Sequence, residues 1–248
     1  MIDEAFERER GEKIAGISGD EQLNALSLEW IGRAQELGYS YNFDWLGLPI
    51  IQYPQDVVAM QELVWSIKPD LIIETGIARG GSAVFYASLL ELNAICGGPG
   101  DARVVAVDID IRPHNRRAIE DHPLARRIDM IEGSSVAEDI VAQVRAHAAG
   151  KSRVLVCLDS NHTHDHVLAE LRAYARMVTP GSYCVVFDTL IEDLPAQSIG
   201  DRSWGKGDNP LTAARAFLAE NDDFETDALR HGKLQVTVAR EGYLRRKA

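Results

Sequence analysis

The segment Leu158-Asp159-Ser160-Asn161-His162-Thr163-His164-Asp165-His166 gathers three of the chain's seven histidines and two acids. Carboxylates and the Asn carbonyl are hard oxygen donors suited to Mg²⁺ or Mn²⁺, and imidazole exchanges protons near neutrality. Three readings fit. His162 and His166 are four apart and would share a helix face, with His166 a plain packing or capping residue at the start of a helix. The three histidines would form a zinc site, though their spacing matches no zinc motif. Alternatively, Asp159 holds a divalent cation and His162 acts as general base. That third arrangement requires a second acid, which Val186-Phe187-Asp188-Thr189 supplies in Asp188. Asp188 also reads as an ordinary cap or turn residue.

A second cluster is Glu74-Thr75-Gly76-Ile77-Ala78-Arg79-Gly80-Gly81-Ser82. Glycine lets the backbone approach a ligand closely, and the N–H groups of a following helix, near Ser82, favour an anion. A dinucleotide turn requires Gly-x-Gly-x-x-Gly, and here the middle position is Ala78, which disfavours an NAD-dependent oxidoreductase. Glu74 suits a cationic ligand. S-adenosylmethionine has a sulfonium, an ammonium and one carboxylate, and Asp108 would accept hydrogen bonds from its ribose. As a bare tight turn, the loop would need no ligand at all.

These residues need a scaffold. A helix is predicted from Asp20 to Leu37, followed by an aromatic, loop-like stretch from Tyr39 to Tyr53. Gln55 or Asp56 would cap a further helix reaching Ile67. From Pro69 onward, short apolar runs alternate with helical periodicity. Strands are predicted at 71–74, 104–108, 128–132, 153–158 and 182–187, with helices at 82–92, 138–148, 166–178 and 210–220. Continuous apolar strands between helices imply a doubly wound, mostly parallel α/β sheet. In such sheets ligands bind beyond the carboxyl ends of the strands, where both clusters fall. Phe224–Ala228 and Leu234–Ala239 would close the sheet as an antiparallel hairpin. One structural domain is expected, with residues 1–68 as a helical extension or lid and 69–248 as the cofactor-binding part.

A net charge of −12 and a pI near 5.0 disfavour nucleic acid and anionic lipid as partners. The acidic-and-basic N-terminus has no apolar stretch of the secretory kind, and no run is long enough to span a membrane. Cys96, Cys157 and Cys184 form no CxxC pair, and buried reduced thiols fit a reducing cytoplasm. The partner would be a small molecule with a hydroxyl, and the extension could serve a homo-oligomer interface.

Phe43-Asp44-Trp45-Leu46-Gly47, Gln52-Tyr53-Pro54-Gln55-Asp56, the Glu74–Ser82 loop, Asp159-Ser160-Asn161-His162-Thr163-His164 and Glu241-Gly242-Tyr243-Leu244 occur in this order. From about Tyr41 to Arg245 the chain resembles the cephalosporin hydroxylase family, which includes rhamnosyl O-methyltransferase-like proteins. The resemblance implies a class I methyltransferase fold and methylation of a hydroxyl on a secondary metabolite, with deoxysugars such as rhamnose among the acceptors it suggests. It implies S-adenosylmethionine held by Glu74, Gly76, Ala78, Ser82 and Asp108, with Ser134 or Ser135 near the adenine. A more distant similarity to catechol-type O-methyltransferases implies a metal on Asp159 and a base at His162. That pattern has two consecutive ligands after the fifth strand, where this chain has Phe187 and Asp188, so Asn161, Glu192 or water would fill the gap. The alternative is a helper protein that keeps the cofactor fold and works beside a partner oxidase in antibiotic hydroxylation or methoxylation.

Overall fold

The apolar runs at 71–75 and 154–158 are buried along their whole length, so they form the middle of a sheet covered on both faces. In the computed structural model, which describes residues 3–195, 198, 200 and 202–248, the chain begins with α1 (Glu4–Gly19) and α2 (Glu21–Glu36). A hairpin of β1 (Phe43–Trp45) and β2 (Leu48–Ile50) leads into α3 (Pro54–Ile67). Strands and helices then alternate: β3 (Leu71–Thr75), α4 (Gly81–Ile95), β4 (Arg103–Asp108), α5 (Pro113–Glu120), β5 (Ile128–Glu132), α6 (Glu138–Ala148), β6 (Val154–Leu158), α7 (His164–Tyr174) and β7 (Tyr183–Val186). The chain closes with α8 (Pro210–Glu220), β8 (Phe224–Thr226), α9 (Ala228–Leu234) and β9 (Tyr243–Arg246).

The seven-stranded sheet runs β5-β4-β3-β6-β7-β9-β8, parallel except for β9. This is the expected doubly wound architecture with a small antiparallel closure. Residues of α3 and α4 cover one face, and residues of α6, α7 and α8 the other. The chain winds outward from β3 through β4 to β5, then returns to place β6 on the other side of β3. That reversal opens a crevice beyond the ends of β3 and β6. Among the described residues no helix is long and apolar enough to cross a membrane.

Several elements differ from expectation. Residues 4–19 have no apolar stripe, yet they form α1. Asp3 caps it at Ala5 N, and the Glu7–Arg10 and Glu9–Lys13 pairs, each at 2.6 Å, brace its exposed surface. The aromatic stretch is not merely a loop. Leu46 and Gly47, with φ of 47° and 91°, form the two-residue turn that joins β1 to β2. Tyr53 precedes α3 with Pro54 in its first turn, so neither Gln55 nor Asp56 is the cap. The Asp56 carboxylate instead accepts from Thr237, from Val238 N at 2.9 Å and from Tyr243 Oη at 3.2 Å.

That carboxylate explains the largest correction: Leu234–Ala239 is not a strand. Asp227 caps a helix over the start of this segment by accepting from Arg230 N. The backbone beyond is satisfied by Asp56 and by Leu190 N, which donates to Val238 O. The partner of β8 is β9, nearer the end of the sequence.

Candidate active site

Both clusters meet at the crevice because β3, β6 and β7 are in register. Thr75 pairs with Leu158, and Leu158 with Val186, so the residues that follow these strands emerge side by side. Asp159 N donates to Thr75 O at 2.9 Å, and a Cβ built on Gly76 would stand 2.0 Å from Asp159 O. Only glycine permits that approach, and its φ of 95° suits no other residue. Gly81 is required for a different reason: its Cβ would lie 2.2 Å from Pro49 O, where the β1–β2 hairpin rests on α4. Trp45 fixes the hairpin there, edge-on to Phe85 at 4.8 Å and donating to Ser88 Oγ at 3.0 Å.

Residues 187 and 188 separate through strand geometry. Successive side chains of an extended strand point to opposite faces. Phe187, 2% exposed, joins the core beneath α3 and α4. Asp188 then takes a left-handed φ of 56°, and its carboxylate comes within 3.5 Å of His162 Nε2. Asp159, His162 and Asp188 each place a donor atom within 4.8 Å of the others. Two carboxylates and an imidazole at that spacing fit a divalent cation. Burial first, then the charges of Asp188, Glu74, Glu170 and Asp56, hold the Asp159 carboxyl well above the usual carboxylate range. A bound cation would reverse that penalty.

The cleft has two lobes that share Gly76, Ala78, Asp159 and Ser160. One, of about 400 Å³, is lined by Asp108, Ile109, Ser134, Ser135 and His166. The other, of about 230 Å³, is lined by Gln52, Arg79, Ser82, His162, Asp188 and Arg202. Asp108 shapes the first: Oδ2 accepts from Ile77 N at 2.8 Å and Ala78 N at 3.2 Å, and Oδ1 from Asp110 N at 3.2 Å. With Ala78 N taken by Asp108, it is withheld from a pyrophosphate, which strengthens the case against a dinucleotide. Glu74 is 2% exposed, and burial, outweighing its hydrogen bond to Ser82, pushes its carboxyl up to about 8. Its Oε2 has no partner, which is the environment a cationic ligand group would complete.

The three histidines have separate places. Helix α7 begins at His164, so His162 lies outside it and shares no helix face with His166. His162 packs against Trp204 in a tilted arrangement, ring centroids 4.7 Å apart and planes at 41°. His164 Nδ1 meets Thr212 Oγ1 at 2.8 Å, on α8. His166 Nε2 meets Ser135 Oγ at 3.1 Å and lies 3.5 Å from the fully buried Glu170. Of the candidates for the place lost to Phe187, Glu192 binds Asn209 Nδ2 and Gly207 N, and Asn161 closes a turn onto Thr163. Both are therefore engaged by partners other than Asp159 and Asp188.

Two participants escaped sequence reasoning. Gln52, 8% exposed, donates through Nε2 to Asp159 Oδ2 at 3.1 Å. A lone amide after the apolar run Leu48-Pro49-Ile50-Ile51 was its available signal. Glu170 accepts from Ser160 Oγ at 2.7 Å, and only its unexpected charge on the buried face of α7 marked it.

A family model described as Rhamnosyl O-methyltransferase/CmcI matches residues 37–247. A rhamnosyl O-methyltransferase of Mycobacterium leprae (strain TN) is 31% identical over 207 residues, covering 82% of each chain. An apo structure of CmcI aligns with a TM-score of 0.57 at 19% identity, over 84% of this chain and 77% of that one. A CmcI structure with Mg and SAM aligns at 0.56 and 17% identity, over 84% and 78%. The chain therefore belongs to the rhamnosyl O-methyltransferase/CmcI family and is an O-methyltransferase of the class I fold.

Proposed function

We propose that the chain moves a methyl group from S-adenosylmethionine to a hydroxyl of a small natural-product acceptor with the help of Mg²⁺ or Mn²⁺. The favoured acceptor is a deoxysugar such as rhamnose, a reading that rests on the names of the relatives. The observation that carries the chemistry is the convergence of Asp159, His162 and Asp188 in the acceptor lobe, with Asp159 also bordering the other lobe. When bound, the cofactor supplies an electrophilic methyl, and the cation lowers the pKa of a hydroxyl it touches.

The chain's own residues do the rest. Asp108, Ser134 and Ser135 line the nucleoside lobe, with Gly76 and Ala78 forming the turn beside it. Glu74 offers its unpartnered oxygen to the ammonium, and the N–H groups near Ser82 take the carboxylate. Asp159 and Asp188 hold the cation. His162 takes the proton from the acceptor hydroxyl at Nε2, which lies 3.5 Å from the Asp188 carboxylate. Trp204 and Tyr41 help exclude water from the acceptor lobe, and of the 1–68 extension the part from Gln35 to Gln52 acts as its cover.

The test is methyl transfer from labelled S-adenosylmethionine to a rhamnosylated acceptor. Transfer should fall by at least about 10² in His162→Ala, with cofactor affinity within a few fold of the original. Exhaustive EDTA should abolish it, and Mg²⁺ or Mn²⁺ restore it. Full activity in that variant removes His162 from the role. Cofactor binding without transfer to any hydroxylated acceptor favours the helper reading.

A further inference from the structure

With Asn161 and Glu192 committed elsewhere, the cation site has two carboxylates and a place left by Phe187. One side chain reaches that place from a different part of the chain. Gln52 lines the same small internal cavity as Phe187, and it also lines the acceptor lobe with Asp159, His162 and Asp188. Its Oε1 is buried and has no hydrogen-bond partner. A buried amide oxygen without a partner carries the full cost of its desolvation, so a built site is expected to use it.

Resting on the metal-assisted reading above, we propose that Gln52 is the third protein oxygen of the cation site and replaces the acid that Phe187 displaces. Its amide nitrogen lies 3.1 Å from Asp159 Oδ2. Adjacent oxygens around Mg²⁺ are separated by about 3 Å, given metal–oxygen distances of about 2.1 Å. A half-turn of the carboxamide exchanges its nitrogen and oxygen, so the group that donates to Asp159 without a cation can offer oxygen to one. Pro54 in the first turn of α3 and the hairpin resting on Gly81 both restrict where this segment can go. The substitution exchanges one negative ligand for a neutral one. Ligand charge count tunes affinity for hard cations, so the site binds them less tightly than a three-carboxylate site of the same geometry.

The experiment is Mn²⁺ titration of the full chain, followed by electron paramagnetic resonance, with no acceptor present. Gln52→Leu should weaken Mn²⁺ at least about tenfold, in the range that loss of metal-supporting groups produces. Gln52→Glu should tighten it about tenfold, a gain that misfolding cannot mimic. Both variants within twofold of the original chain would overturn the assignment of Gln52 and leave the metal reading intact. No Mn²⁺ binding by the original chain would overturn both.

Discussion

The two lobes of the cleft treat polar groups in opposite ways. Around the nucleoside lobe most of these groups answer one another: Asp108 binds three backbone N–H groups, and Ser135, His166, Ser160 and Glu170 form one network, which leaves Glu170 Oε2 without a partner. Around the acceptor lobe the pattern breaks. Gln52 Oε1, which lines it, is buried without a partner, as are Tyr53 Oη and Glu74 Oε2 elsewhere, and Asp159 and Asp188 converge there. The first lobe is a cradle finished for the most part by the chain itself. The second brings two acids and an unpartnered amide oxygen to one place, as a site built for a positive ligand would.

This contrast is strongest at Asp159. In Asp159→Asn the carboxylate is gone while Gly76 still meets the same backbone oxygen. Turnover should fall by about 10³ or more, and cofactor affinity should change only a few fold. Transfer kinetics and calorimetry together check this, and an equal loss in both would mean that the lobes are not separable. Glu74→Gln comes next. The Glu74 carboxyl stands at about 8 when folded, against an ordinary value near 4.5. A raised acid holds its proton in the folded state after the unfolded chain has released it, so stability falls as pH rises between those values. Glu74→Gln should reduce that slope, to which the raised Asp159 carboxyl also contributes, and raise the melting temperature at pH 8 by several degrees, about 2–4 °C per kcal/mol for a chain of this size. It should also weaken the cofactor about tenfold or more and flatten the decline in cofactor affinity as pH falls below 8. Thermal melts and cofactor titrations across pH 5–9 check both. Asp56, which burial raises to about 6, contributes to the same slope at lower pH and is unaffected by the substitution.

The smallest effect belongs to Trp204. Its ring lies against His162 without touching Asp159 or Asp188 in any polar contact. Trp204→Ala should lower kcat about tenfold and leave Mn²⁺ affinity unchanged, whereas Trp204→Phe should recover most of the loss. A change in metal affinity would show that Trp204 supports the cation site and not the imidazole.

What could be read from the sequence follows the range of the forces involved. Runs such as Val104–Val107 and Val154–Leu158 announce the sheet, because burial on both faces demands apolar residues throughout. Asp159, His162 and Asp188 were legible as a group because each follows a strand, and parallel strands deliver their ends to one edge. Distant partners were not. Leu234–Ala239 has strand composition, yet its backbone is satisfied by Asp56, roughly 180 residues earlier. Gln52 lies 107 positions from Asp159, and no local periodicity could join them. Helix α1 is legible only through its cap and charge spacing, since it buries no side chain fully.

Soaking crystals of the protein with Mn²⁺ and S-adenosylmethionine and locating the metal by its anomalous signal tests the convergence of the two acids most directly. A single Mn²⁺ at about 2.2 Å from carboxylate oxygens of both Asp159 and Asp188, with the sulfonium methyl facing the same space, is the predicted result. Metal bound elsewhere, together with turnover that survives EDTA, would contradict it.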